Sequence, residues 1–278
     1  MYNKRSKKIM TITITLVMFC LALTSIIPFL WMLSTSFKRM ADVYSVPVKW
    51  VPDYWYPNNY KTILSAGSSF ILNYYNSIKI TVINVTGGIL VSALSGYAFA
   101  RLRFKGKNVI FLLYLATMMV PTQVTIIPKF VLFNTLGLLN THLSIIIPGL
   151  LNISSTFMMR QAYLGVPAAL SESAKIDGAG ELRVWWQIIT PLIKPTIAAL
   201  VILMFLSNWN SYEEPMIFLS SPKLFTIPIG LNSFRDENVS RDNLIMAATV
   251  SSVLPIFIIF LIGQKQFTKG LIVGAIKG

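Results

Sequence analysis

The amino-acid sequence predicts an all-α fold, a polytopic bundle of six transmembrane helices with one long polar loop. The chain has 278 residues, of which 54% are hydrophobic and only 12% charged, whereas an average soluble domain has about 25% charged residues. Six stretches are apolar and long enough to cross a bilayer, which takes about 20 residues in a helix. Between these stretches the basic residues are unevenly distributed, as in membrane proteins whose loops set their orientation.

The six predicted spans are apolar runs that together form a single transmembrane domain. The first follows the basic segment 4–8, but its apolar core of about 25 residues is longer than the roughly 7–15 residues of a signal peptide, so we interpret it as a retained helix. Pro121 and Pro128 interrupt the third span and Pro148 the fourth, which a membrane helix tolerates when neighbouring groups satisfy the freed carbonyls. The spans are about 9–33, 72–100, 109–129, 143–159, 195–219 and 244–263.

The basic residues indicate the orientation of the chain. With a cytoplasmic N-terminus, the inner segments contain 15 Lys or Arg and 3 acidic residues, and the outer segments contain 8 and 7. Because basic residues concentrate in cytoplasmic loops, both termini are expected in the cytoplasm. Topology then explains the formal net charge of +14, and no nucleic-acid partner is needed. The inner segments are 1–8, 101–108, 160–194 and 264–278, and Lys79 is left within the second span.

The segment 160–194 is polar and interrupted by glycines. Pro167 is favoured at the first position of a helix, and AALSESAKID continues without a helix breaker to Gly178, a typical left-handed stop. A helix of this length is marginally stable alone in water, so we expect it to pack against another surface. The spacing leaves two interpretations open: a docking site for a soluble partner, or a helix lying on the membrane. Four residues share one face by their spacing, namely Leu170, Ser173, Ala174 and Asp177.

A second short helix, ELRVWWQIIT, is predicted after Gly180. Trp185 and Trp186 within it are typical of a membrane–water interface. Pro191 and Pro195 then mark the entry to the fifth span.

Several motifs resemble one family of membrane proteins. ESAKIDGA followed by WWQIITPLIKP is similar to the cytoplasmic EAA loop of binding-protein-dependent ABC importer permeases, with Glu172, Ala174 and Gly178 matching its pattern and Ser173 replacing the middle Ala. Five further motifs look like the same family, and the last resembles the C-terminal tail of the MalG-like half of carbohydrate importer permeases. They are NSIKITV (76–82), GYAFARLRFKGK (96–107), MVPTQVTIIPKFVLFNTLGLLNTHLSIIIP (119–148), NWNSYEEPMIFL (208–219) and QKQFTKGLIVGAIKG (264–278).

The resemblance implies a multi-pass permease subunit of an ATP-driven carbohydrate importer in the bacterial cell membrane. Its partners would be a second homologous permease in a heterodimer, a cytoplasmic ATPase dimer, an extracellular solute-binding protein, the carbohydrate and membrane lipid. The sequence contains no G-x-x-x-x-G-K-[ST] phosphate loop, so ATP and Mg²⁺ are expected on the ATPase and no cofactor in this chain.

The resemblance also implies roles for three groups of residues. The loop helix would dock on the ATPase through Leu170, Glu172, Ser173, Ala174, Asp177 and Gly178. The tail would reach the ATPase through Gln264, Lys265, Lys269 and Lys277. Candidates for the substrate path are Asn208, Trp209, Asn210, Glu213 and Glu214, because aromatic rings and amide or carboxylate groups bind sugars.

Alternative functions remain open at this point. The same architecture could import glycerol-phosphate or an oligouronide, but an anionic cargo predicts additional cationic residues along the path, and only Lys79 is apparent. A stand-alone secondary transporter is expected to have an internal repeat and ionisable residues at the midplane. An intramembrane enzyme would need paired Asp residues or H-E-x-x-H within the spans, so we predict no catalytic residue and, with one His and one Cys in the chain, no metal site.

Overall fold

All regular elements in the part of the chain that the structure describes are helices, which confirms the predicted all-α class. The computed structural model describes residues 4–65, 68–234 and 241–275, with side chains except at 4–7, 233 and 267–275. The helices are α1 Lys4–Ser36, α2 Met40–Val43, α3 Asn58–Ile63, α4 Phe70–Arg101, α5 Lys107–Ala116, α6 Thr122–Thr135, α7 Leu143–Gly149, α8 Ile153–Leu164, α9 Ala168–Ile176, α10 Glu181–Arg183, α11 Lys194–Trp209, α12 Glu213–Phe218, α13 Ile227–Gly230 and α14 Asp242–Ala275.

Five helical segments within the described ranges are long and apolar enough to cross a membrane, and a bent pair of helices brings the number to six. The five are Lys8–Ser36, Phe70–Arg101, Leu143–Leu164, Glu181–Trp209 and Asp242–Gln266. They contain the first, second, fourth and sixth predicted spans and the first part of the fifth. The bent pair coincides with the third.

The third predicted span is a broken helix. Lys107–Met119 and Thr122–Thr135 meet at an angle of 100°, so the predicted stretch 109–129 does not run straight. Val120 is extended, with ψ of 116°, because a proline disfavours the helical conformation of the residue before it. Pro121 therefore stops one helix, and a second helix begins directly after it.

The fifth predicted span begins earlier and ends earlier in the structure than the predicted 195–219. A π-helical segment, Val184–Ile189, and a 3₁₀ turn, Thr190–Ile193, connect α10 to α11, so the helical run starts at Glu181. Pro191 lies at the start of the 3₁₀ turn and Pro195 in the first turn of α11, where a proline is tolerated because its missing N–H has no partner within the helix. The run ends at Trp209, and the residues up to 219 form the separate α12.

The chain divides into two compact units. The first comprises Met1–Ile71 and Leu231–Val253, and in its described part a buried amide joins distant segments. Asn59 donates to the carbonyl oxygens of Ser36 and Lys38, each at 2.8 Å. Its own side-chain oxygen accepts from Asn243 at 2.8 Å.

The second unit, Leu72–Gly230 with Leu254–Gly278, contains a core built on α4 and α8. Gly96 of α4 lies so close to α8 that an added Cβ would be 2.7 Å from Met159 Cβ and 3.0 Å from the backbone nitrogen of Arg160. Small residues allow membrane helices to approach in this way. The same core continues into the 160–194 segment through Tyr163 and Val184, both fully buried.

Candidate functional site

The 160–194 segment folds around a short helix with a defined end. Pro167 precedes α9 in an extended conformation with ψ of 134°, so it caps the helix and does not occupy the first helical position as predicted. At the other end Gly178 has a φ of +81°. The amides of Gly178 and Ala179 donate to the carbonyl oxygens of Lys175 and Ala174 at 3.1 and 2.9 Å, which is a Schellman motif.

One face of α9 packs on the protein and the other is exposed. Ala174 is only 8% exposed and belongs to the core cluster with Tyr163 and Trp185. Its small side chain therefore allows α9 to approach its own unit, and we remove it from the residues predicted to dock a partner. The other five predicted docking residues are exposed, namely Leu170, Glu172, Ser173, Asp177 and Gly178.

Two apolar residues on the exposed surface were not singled out from the sequence. Ile176, at the end of α9, is 86% exposed, and Leu182, in α10, is 75% exposed. Large apolar side chains with this exposure on a polar segment are consistent with a surface that another protein covers. The sequence does contain a sign of the role of Ile176, because Ile176 and Leu170 are the two large apolar residues of an otherwise small or polar helix α9.

Glu181 fixes the segment to α4. Its carboxylate accepts a hydrogen bond from the Tyr97 hydroxyl at 2.6 Å, and its second oxygen pairs with Lys175 at 2.6 Å. Tyr97 is buried in the core cluster, so this bond joins the end of a transmembrane helix to the polar segment.

Arg101, at the start of the basic inner segment 101–108, contributes a second connection. Its guanidinium donates to the carbonyl oxygen of Tyr163 at 2.6 Å and to that of Val166. These carbonyls are at the C-terminal end of α8 and just beyond it, where helix carbonyls have no partner within the helix. Arg101 thus holds the entry to α9 against α4.

The two tryptophans have different environments. Trp185 is buried and its indole nitrogen donates to the Tyr163 hydroxyl at 3.0 Å. That hydroxyl lies 3.1 Å from the hydroxyl of Thr190. Trp186, by contrast, is 61% exposed, as expected for an interface residue.

A polar cleft in the second unit brings together three of the five predicted substrate-path residues. The cleft has a volume of about 520 Å³ and lies between α6, the α7–α8 junction and the C-terminal end of α11. Asn208, Glu213 and Glu214 line it. Further polar groups that sequence analysis did not assign also line it, namely Gln123, Lys129, Asn152, Ser207 and Tyr212.

The other two predicted path residues do not line the cleft. Trp209 is only 2% exposed and stacks on Phe205 with a centroid distance of 5.3 Å, so it is a packing residue. Asn210 is exposed, and its amide donates to the carbonyl oxygen of Leu206 at 2.9 Å, at the end of α11.

Two interactions organise the cleft. Lys129 and Glu214 form an ion pair at 2.7 Å, with side chains 31% and 22% exposed. Asn84 of α4 donates to the Asn208 side-chain oxygen at 2.7 Å. Gly149 permits this contact, because a Cβ there would lie 2.2 Å from the Asn84 amide nitrogen. Within the described ranges no three His, Cys, Asp or Glu side chains are grouped to hold a metal ion.

The predicted tail residues are described only in part. Gln264 and Lys265 lie in α14 and are exposed. The backbone of Lys269 continues this helix, but its side chain and the whole of Lys277 lie outside the described residues.

Comparisons with known proteins agree with this architecture. Residues 88–273 match the family model described as "Binding-protein-dependent transport system inner membrane component". The chain is 34% identical to the arabinooligosaccharides transport system permease protein AraQ of Bacillus subtilis (strain 168), over 96% of each chain. It is also 34% identical to the lactose transport system permease protein LacG of Rhizobium radiobacter, over 74% of this chain and 75% of that one.

A solved structure gives the same result. The chain superposes with a TM-score of 0.86 and 26% identity on a chain of a bacterial ABC transporter involved in the import of the acidic polysaccharide alginate. The match covers 96% of this chain and 99% of the other. From the family match, the two relatives and this fold, the chain belongs to the inner-membrane components of binding-protein-dependent transport systems.

Proposed function

We propose that the chain is a membrane-spanning permease subunit of an ATP-driven importer of carbohydrate, most simply an oligosaccharide. Support comes from the family and from two relatives that are named as permeases for arabinooligosaccharides and lactose. The cleft between α6, the α7–α8 junction and α11 offers carboxylate and amide groups, which bind hydroxyl groups well. The cargo would cross by alternating access, as the spans reorient around this cleft.

The exposed face of the 160–194 segment supports the proposal that a separate ATPase docks there and drives the transport. Ala174 on one side of α9 holds the helix to the protein, while Glu172 and Ile176 extend from it into solvent. The Tyr97–Glu181 hydrogen bond then connects this face to α4. A force applied to α9 by a docked ATPase would therefore reach a transmembrane helix directly.

The remaining assembly follows from the same proposal. The chain pairs with a second homologous permease, an extracellular binding protein delivers the sugar, and both termini lie in the cytoplasm beside the ATPase dimer. ATP and Mg²⁺ bind to the ATPase. The tail after Gly263, including the exposed Gln264 and Lys265, approaches the ATPase as well.

The experiment is co-purification with the ATPase and second permease, followed by uptake in proteoliposomes. Ile176→Ser and Glu172→Lys should reduce both the ATPase recovered and the sugar transported, with the subunit still present in the membrane. Val51→Ser is the matched control, because Val51 is also a largely exposed apolar residue and lies in the first unit. Unchanged ATPase recovery and uptake in both variants would refute the docking surface. Transport by this chain alone, without ATP, would refute the importer.

A further inference from the structure

We propose that the cleft accepts uncharged saccharides and discriminates against acidic ones. This inference rests on the proposed function and adds the chemical class of the cargo. The alginate importer that shares the fold carries an acidic polysaccharide, so the fold alone does not determine the charge of the cargo. The residues that line the cleft are the contribution of this chain to that selection.

The charged groups of the cleft sum to a negative charge. In the described part of the chain, its lining contains one cation, Lys129, and two carboxylates, Glu213 and Glu214. Lys129 is neutralised by Glu214 at 2.7 Å. Glu213 is exposed and forms no ion pair in the described part of the chain, so its charge is not balanced.

Among the described residues that line the cleft, no unpaired cation is available to an acidic sugar. Its carboxylate would lie near Glu213, and like charges placed together across an interface are strongly unfavourable. Lys129 has three N–H donors and could still donate to it, but its charge is already neutralised by Glu214 at 2.7 Å, so little attraction remains to offset the repulsion from Glu213. Lys79, the cation suggested by the sequence, is not among the lining residues and lies 3.5 Å from the His142 ring nitrogen.

A neutral sugar fits the same groups. Its hydroxyls can donate to Glu213 and to the free lone pairs of Glu214, forming charge-assisted hydrogen bonds that are about twice as strong as neutral ones. Gln123 supplies both an amide donor and an acceptor. Tyr212 is exposed in the lining and presents an apolar ring with a hydroxyl.

The test measures saccharide binding to the assembled importer, with its ATPase and second permease, in nanodiscs without the binding protein. Saturation-transfer NMR with arabinotriose, lactose and trigalacturonate reports weak binding directly. The wild type should give signals for the neutral sugars and at most about a tenth of that signal for trigalacturonate. Binding of trigalacturonate equal to or stronger than that of both neutral sugars would overturn the inference, as would the absence of any saccharide signal.

Two variants test whether this subunit determines the preference for neutral over acidic saccharides. Glu213→Gln removes the charge of an exposed side chain that forms no ion pair with any described residue, and it should shift the neutral-to-acidic preference several-fold toward trigalacturonate. Glu213→Gln combined with Glu214→Gln also frees Lys129 and should shift it at least tenfold. Asp53→Asn, an exposed carboxylate of the first unit, is the control and should leave the preference unchanged. An unchanged preference in both cleft variants would refute the assignment.

ATP-dependent uptake with the binding protein separates this inference from the proposed function. Proteoliposomes that take up a neutral oligosaccharide and not trigalacturonate support both. Uptake of trigalacturonate at the rate of the neutral sugars overturns the cargo class and leaves the importer intact. No ATP-dependent uptake across a panel of neutral and acidic oligosaccharides overturns the proposed function itself.

Discussion

The left-handed conformation of Gly178 predicts that alanine substitution at Gly178 and at Gly180 should have different effects on the stability of the end of α9. An L-residue in this conformation costs about 1–2 kcal/mol, and Gly178 has a φ of +81°. An added Cβ would meet no described atom beyond its chain neighbours within 4 Å at either Gly178 or Gly180, so the two substitutions differ in backbone conformation and not in steric contacts with the described residues. Gly180 has a φ of −68° and a ψ of 161°, which any residue adopts.

The magnitude follows from these angles. Gly178→Ala should destabilise the Schellman end of α9 by about 1–2 kcal/mol, which is roughly a 5–30-fold change in the population of the folded end. Gly180→Ala should be neutral or stabilising by up to about 1 kcal/mol, because alanine restricts the unfolded chain at a compatible position. Gly178→Asn should fall between the two, since asparagine tolerates the left-handed region better than other side chains.

Hydrogen exchange of the backbone amides over 168–180 in the assembled importer measures this effect, and the ratio of sugar transported to ATP hydrolysed measures its consequence. The amides of Gly178 and Ala179, which close the motif, should exchange about 5–30 times faster in the position-178 alanine variant. The transport ratio should fall with them. Equal protection and equal transport ratios in Gly178→Ala and Gly180→Ala would show that the conformation of this turn is unimportant.

Three further predictions concern the connections within the chain. Tyr97→Phe removes a hydrogen bond to a carboxylate, worth about 1.5–3 kcal/mol, and should lower transport per ATP; a double-mutant cycle with Glu181→Gln that shows no coupling energy would contradict this. Gly96→Ala places a Cβ 2.7 Å from that of Met159 and should destabilise the purified subunit by about 1–3 kcal/mol in thermal unfolding; an unchanged midpoint would contradict the close packing. Burial lowers the pKa of His142 in the folded protein. The free energy of unfolding that this residue contributes is therefore fully present above the unfolded-state pKa of about 6.5 and decreases as the pH falls toward the lowered folded-state pKa. His142→Gln should remove this part of the pH dependence of unfolding.

Much of the architecture was accessible from the sequence because it depends on local composition. An apolar run of about 20 residues has few alternatives to a membrane helix, and the Gly178 stop follows from the conformational freedom of one residue. Pro121 correctly indicated that the third span is irregular, whereas Pro128, also expected to interrupt it, lies inside α6. The angle of 100° at that break depends on how the two helices pack, which no local pattern encodes.

The connections of the 160–194 segment could not be predicted. Tyr97 and Glu181 are 84 positions apart, and their side chains meet only because α4 and α10 pack in the same unit. The spacing correctly placed Ala174 on one face of a helix. It could not determine whether that face contacts this chain or a partner, since a small residue suits both.

The cleft was predicted in part. The cluster from Asn208 to Glu214 was identified through its residue types, but consecutive residues at a helix end point in different directions. Trp209 consequently packs inward while Asn208 lines the cleft. Lys129 was assigned to the end of a span, and its partner Glu214 lies 85 positions away.

The continuous helical run from Glu181 to Trp209 has a mechanical consequence. One end carries the bond to Tyr97 beside α9, and the other end carries Asn208 at the cleft. Its 29 residues correspond to about 43 Å at 1.5 Å per residue. At that length, a tilt of about 5° around one end displaces the other by about 4 Å, more than the length of a hydrogen bond. Such a tilt is thus geometrically sufficient to break the hydrogen bond that Asn208 accepts from Asn84 of α4, whereas the bond from Asn208 to the Met204 carbonyl lies within the helix and would move with it.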